Sequence, residues 1–200
     1  MNLEALKQRL SATILPEAIA APEGSDDARD LSPGPLRMAA VLVPIIHGPN
    51  PGVLLTVRTA HLSSHAGQVA FPGGRIEPED PTPEIAALRE AEEEIGLDPA
   101  RVELAGRLPD QITGTGYHIT PVLGLLPEGL RLLPSPDEVA DIFTLPLATL
   151  LDPEAPKRES RLFRGRQRQF WTWPHERHYI WGATAGILVQ LAHRLRAAPL

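Results

Sequence analysis

The apolar residues of this chain follow two rhythms, one suited to buried strands and one to amphipathic helices. Residues 36–47, LRMAAVLVPIIH, form a near-continuous apolar run, short enough for a single strand covered on both faces. After the Pro51-Gly52 turn, VLLTVRT at 53–59 is rich in aliphatic and β-branched residues and predicts a second strand. A short strand is expected over 68–71, followed by Pro72-Gly73-Gly74, which reads as a sharp turn whose glycines let backbone approach a ligand closely. The period then lengthens to that of a helix. Pro83 suits a first turn and Thr82 an N-cap, and Gly96 marks the stop. Ile85, Leu88 and Ile95 are the stripe expected to face the core.

Further strands are predicted over 101–108, 118–126 and 139–145, with a Gly/Thr-rich loop at 110–116 and a turn-rich stretch at 127–136. A short helix at 147–151, a hairpin built from 161–164 and 169–173, and a last helix over 182–196 with Ile187, Leu188 and Leu191 inward complete the chain. At the N-terminus, a helix at 3–12 and a polar Pro/Gly linker at 20–35 make a segment, 1–35, that packs on one domain of residues 36–200. Strands interleaved with two packed helices imply an α/β fold, an α/β/α sandwich around a mixed sheet.

The helix beginning at Pro83 carries more negative charge than its own stability favours. Glu90, Glu93 and Glu94 stand three and four residues apart on one face, where like charges cost about 0.2–0.5 kcal/mol per pair. The face is either a solvated acidic surface or a seat for a cation, and hard divalent ions join such carboxylates to substrate phosphates. On either reading Glu94 is expected on the exposed side. Arg89 lies four residues before Glu93 and can pair with it.

Composition narrows the partners. The 200 residues suit one domain with a sizeable core. A net charge of −6 argues against a nucleic-acid surface. No apolar run approaches bilayer length, and MNLEALKQRL is too polar for a signal peptide. Cysteine is absent, which excludes disulfides and thiolate metal sites and suits a reducing cytoplasm. An acidic protein that binds a polyanion needs a bridging metal and a few placed arginines.

Residues 74–97 resemble the Nudix box: Gly74, the spacer acid Asp80, then Arg89, Glu90, Glu93, Glu94, Gly96 and Leu97. Asp80 stands where Glu is usual, and the spacing from it to Arg89 is one residue longer than the common pattern. A second run, LLTVRTAHLSSHAGQVAFPGG at 54–74, resembles the motif that precedes the box in coenzyme A pyrophosphatases. Leu54, Leu55, Thr56, Arg58, Gly67, Phe71, Pro72, Gly73 and Gly74 match it. Ser63 takes the place of a second Arg, and Thr59 that of a Ser. EVADIFTLPL at 138–147 and YIWGATAGIL at 179–188 are looser likenesses to the same subfamily.

The resemblance implies the Nudix α/β/α sandwich and a Mg²⁺- or Mn²⁺-dependent pyrophosphohydrolase. Its substrate would be coenzyme A or a derivative, cleaved to 4′-phosphopantetheine and adenosine 3′,5′-bisphosphate. Glu90 and Glu94, with Glu93 next and the Gly73 carbonyl, are the implied metal ligands. Glu93 or Glu138 is the implied proton acceptor, with Arg89 an orienting partner, and Arg58, Gly74 and His65 are candidates for substrate contact. Asp137 is a weaker candidate than Glu138. Trp171, Trp173 and Trp181 are available for stacking or for the core, and the basic run at 161–168 for a 3′-phosphate or for solvent. A homodimer is compatible with all of this. Other nucleoside diphosphate derivatives such as ADP-ribose or NADH, a non-catalytic ligand-sensing module, and a diphosphate isomerase are the alternatives; the last lacks the Cys its chemistry would want.

Overall fold

The computed structural model describes residues 2–12, 35–62, 65–163 and 166–197. Its axis is a pair of long parallel strands, β1 (Arg37–His47) and β7 (Tyr117–Pro127), in register from Arg37 opposite Tyr117 to His47 opposite Pro127. Both are covered on two sides, which is why β1 reads as an unbroken apolar run. Ala40 and Leu42 face one layer while Val43 and Ile45 face the other.

The edge of β1 forks. Near its C-terminal end it pairs with β2 (Gly52–Arg58) at Ile45–Val53, and toward its N-terminal end with β4 (Gly73–Arg75) at Ala39–Arg75. β2 goes on to pair with β3 (Val69–Ala70) and with β8 (Val139–Pro146). On its other side β7 takes β5 (Glu103–Arg107) and β6 (Gln111–Ile112). The result is one eight-stranded mixed sheet. A separate antiparallel sheet joins β9 (Lys157–Phe163), β10 (Arg166–Trp173) and β11 (Ile180–Trp181).

Helices cover both faces of the large sheet. α2 (Pro83–Ile95) packs on Ala40, Leu42, Leu54 and Val122. The opposite core holds α1 (Leu3–Ala12), α3 (Leu147–Leu151) and α4 (Gly182–Ala197), with Leu6 and Leu10 buried beside Ile187, Leu188 and Leu191. Arg194 fastens α1 to α4 through Nη2, 2.6 Å from the Leu10 carbonyl. The caps of α2 are those expected: Thr82 Oγ1 accepts from the Ile85 N–H, and Gly96 adopts φ 64° and donates to the Glu92 carbonyl at 2.9 Å.

Four expectations change. The Gly-Gly stretch is not a turn but strand β4, laid along β1. Ile85 is 45% exposed; the inner face of α2 is Ala86, Ala87, Ala91 and Ile95. Small side chains let this helix lie close on the sheet, a signal that counting large apolar residues overlooks. The loop at 110–116 contains β6, and the hairpin strand β9 begins at Lys157. Most of the 20–35 linker lies outside the described residues.

Candidate active site

The fork in β1 places a helix carboxylate against a strand backbone. Glu94 lies on the inner side of α2, only 3% exposed, where a solvent-facing carboxylate was expected. The Gly73 N–H donates to its Oε2 at 3.1 Å, and Arg58 Nη1, at the end of β2, stands 3.5 Å from its Oε1. Burial pushes the Glu94 carboxyl up to about 7; the Gly73 N–H and Arg58 oppose that rise, and nearby Glu138 and Glu90 reinforce it.

Glu90 lies one turn earlier, directly over β4. A Cβ added to Gly74 would meet its carboxyl carbon at 2.5 Å. A side chain here would push the Glu90 carboxylate off the strand backbone on which it now closes. Burial also raises the Glu90 carboxyl, opposed by Arg89 and reinforced by Glu93 and Glu138.

Arg89 ties this region together. Its Nη2 donates to Asp80 Oδ2 at 2.9 Å and its Nε to Oδ1 at 3.2 Å, a bidentate grip. Nη1 is 3.0 Å from Glu90 and 3.3 Å from Glu93, and Nη2 also reaches the Arg75 carbonyl. Asp80 is therefore the principal anchor of Arg89, with Glu93 a lesser one. The guanidinium holds the Asp80 carboxyl below its usual range, helped by the Glu77 N–H.

Glu138 arrives from a distant turn that is pinned at both sides. The Ser135 N–H donates to the Glu94 carbonyl at 2.8 Å, and the Ser135 carbonyl accepts from the Glu138 N–H. Just past β2, the Thr59 N–H donates to the Glu138 carbonyl and Thr59 Oγ1 to the Asp137 carbonyl, each at 2.9 Å. Thr59 thus performs through its hydroxyl what a Ser there could also do.

Glu90, Glu94 and Glu138 line one cavity of about 990 Å³, together with Arg58, His65 and the Gly73–Gly74 backbone. Phe170, Trp171 and Trp181 also line it. Among the described residues no three His, Asp or Glu side chains stand as a finished ligand set. Glu90 is drawn toward Arg89, and Glu94 toward Gly73 and Arg58. The donor chemistry nonetheless fits a hard divalent cation. Three carboxylates from two elements face one space, and each of the two helix groups is raised by burial and by its acidic neighbours. A cation would relieve both effects.

A family model, NUDIX domain, matches residues 36–165. The chain belongs to the Nudix family. It is 45% identical over 163 residues to a protein of Escherichia coli K12 described as the uncharacterized Nudix hydrolase NudL, covering 82% of this chain and 85% of that one. The NudL of Shigella flexneri matches equally. Among solved structures, a Nudix hydrolase from M. smegmatis, RenU, aligns with TM-score 0.49 and 27% identity over 60% of this chain and 76% of the other. The family model and the NudL relatives make the chain a Nudix hydrolase.

Within this Nudix site the residues singled out by sequence fall into two groups. Glu90, Glu94, Glu138, Arg58, Gly73, Gly74 and His65 all line the cavity. His65 has φ 57°, and its Nδ1 lies 3.0 Å from Gln68 Oε1. Glu93 does not line it: its side chain is 59% exposed and held by Arg89. Trp173 is core, 2% exposed, whereas Trp171 and Trp181 reach the cavity. Ser63 lies outside the described residues. The 110–118 segment, not expected at the site, also lines the cavity through Gln111, Tyr117 and His118. His118 is paired with Asp110 at 2.7 Å, and no local motif marks these positions.

Proposed function

We propose that this Nudix hydrolase cleaves the diphosphate of coenzyme A or a derivative, releasing 4′-phosphopantetheine and adenosine 3′,5′-bisphosphate with Mg²⁺ or Mn²⁺. The observation that carries the reading is the meeting of Glu90, Glu94 and Glu138 beside Arg58 in one cavity. The coenzyme A assignment is supported by the LLTVR and FPGG segments. They put Arg58 and Gly73 against Glu94.

Glu90 and Glu94, with the Gly73 carbonyl, would hold the metal. When bound, it neutralises diphosphate oxygens and acidifies an attacking water. Arg58 is the cation placed to meet a diphosphate oxygen once Glu94 is otherwise engaged. Glu138 accepts the proton of the water as its oxygen bonds to phosphorus and the P–O–P bond breaks, the second phosphate leaving with the electron pair. Between the two candidates for that role, Glu138 lines the cavity while Glu93 points to solvent and to Arg89. Arg89, held by Asp80, fixes the helix carboxylates in place. A reducing cytoplasm suits a chain without cysteine, and no described helix is long and apolar enough to cross a membrane.

The test is a panel of coenzyme A, ADP-ribose and NADH with Mg²⁺ or Mn²⁺, the products identified by mass. Coenzyme A should be cleaved fastest, to the two named products. Cleavage of ADP-ribose or NADH with coenzyme A left intact would overturn the substrate and leave the reaction class.

A further inference from the structure

The cavity has a second charged region, of opposite sign to the first. Arg161 in β9 and Arg168 in β10 are direct partners across the antiparallel ladder, and both line the cavity. Like charges placed directly opposite on a sheet destabilise it, so this pair works against the hairpin that carries it. Other arginines of the protein are tied down: Arg89 by Asp80, Arg107 by Glu84 at 2.6 Å, and Arg196 by carbonyls of α3. Neither Arg161 nor Arg168 makes an ion pair or a side-chain hydrogen bond among the described residues, and the buried Arg168 Nε has no partner.

The next acid along that strand face already has a partner. Glu159, two residues before Arg161 on β9, accepts from the Tyr179 hydroxyl at 2.9 Å. Beside the arginines the same face carries an aromatic wall: Phe170, two residues after Arg168, meets Trp181 edge-on with ring centroids 5.7 Å apart. Two unpaired guanidinium groups at a cavity wall make a site for a doubly charged phosphate monoester, and the adjoining rings offer a surface for a planar base.

We infer that Arg161 and Arg168 form a second anion subsite, which binds a phosphate monoester carried by the substrate away from the diphosphate that is cleaved. Coenzyme A has such a group at its ribose 3′ position, so the inference deepens the proposed function and rests on it for the substrate. The arginines take no part in bond breaking. They select substrates that carry the extra phosphate and hold them in register.

Two measurements test this on the full chain. The first compares kcat/KM for coenzyme A and 3′-dephospho-coenzyme A in the wild type and in Arg161→Gln/Arg168→Gln. The wild type should favour coenzyme A by tenfold or more through KM. The variant should lose that preference while retaining kcat on the dephospho compound. Equal preference in both proteins would overturn the subsite. The second is calorimetric binding of adenosine 3′,5′-bisphosphate against adenosine 5′-monophosphate, which needs no turnover. The wild type should bind the bisphosphate at least tenfold more tightly, and the variant should bind the two alike. If coenzyme A is not cleaved but this binding difference holds, the substrate reading fails and the subsite stands. If coenzyme A is cleaved and the difference is absent, the subsite fails alone. The variant is expected to melt at the same temperature or slightly higher, because a like-charged pair is removed.

Discussion

The backbone N–H of Gly73 donates to Oε2 of Glu94 across 3.1 Å, joining the strand that precedes the acidic helix to the most buried acid upon it. That bond keeps a carboxylate in place where burial alone would expel its charge. A ligand that supplied positive charge there would take over from a relationship the fold already maintains.

Replacing Glu94 with Gln separates activity from folding. The amide oxygen can still accept from Gly73, but the charge is gone. Activity should fall roughly 1,000-fold or more, the scale of a lost metal contribution of several kcal/mol. The folded state should survive, as judged by circular dichroism and a cooperative melt.

The same group gives the metal-free protein a pH dependence of known sign. The Glu94 carboxyl titrates at about 7 when folded against 4.5 ordinarily. Between those values the folded chain holds a proton that the unfolded chain has released, so its contribution is complete below 4.5 and is lost as pH rises through 7. Melting temperature in chelator should therefore fall over that range more steeply for the wild type than for Glu94→Gln. Added Mg²⁺ or Mn²⁺ should restore the wild type at pH 8 and leave the variant little changed.

Glu138→Gln should lower kcat by roughly two to four orders of magnitude, the range for loss of a positioned proton acceptor. Glu93→Gln should cost less, because its side chain is exposed and off the cavity wall. Steady-state kinetics on the two variants rank them directly; a larger loss for Glu93→Gln would move the proton acceptor to the helix.

Gly74→Ala should reduce activity with an ordinary backbone at that position, since the new methyl falls 2.5 Å from the Glu90 carboxyl. Asp80→Asn should release Arg89 and lower kcat by about tenfold, the lower end for losing a residue that orients a metal ligand. Asp80→Glu should recover part of that loss, which a merely structural effect on the loop would not show.

Much of the architecture was legible because its causes are local. The caps of α2 at Thr82 and Gly96 and the two-sided burial of β1 follow from neighbouring residues. What the sequence concealed depends on distant contacts. β4 becomes a strand only because β1 lies beside it, and the alanine face of α2 makes sense only against the sheet. The site shows the same division. Glu90, Glu94 and Glu138 stand out by motif and position, but burial of Glu94 and the anchoring of Arg89 by Asp80 arise from tertiary packing. The extra residue between Asp80 and Arg89 leaves their bidentate contact intact, so the departure from the common spacing is absorbed in the loop.

On the proposed reading Glu90 and Glu94 hold a divalent cation, with Glu138 in the same cavity. Calorimetric titration of the chelator-treated protein with Mn²⁺, in parallel with Glu94→Gln and Glu138→Gln, tests it most directly. The wild type should bind saturably, with affinity weakened at least tenfold in Glu94→Gln and measurably in Glu138→Gln. Wild-type affinity in both variants would place the metal elsewhere and contradict its assignment to Glu90 and Glu94.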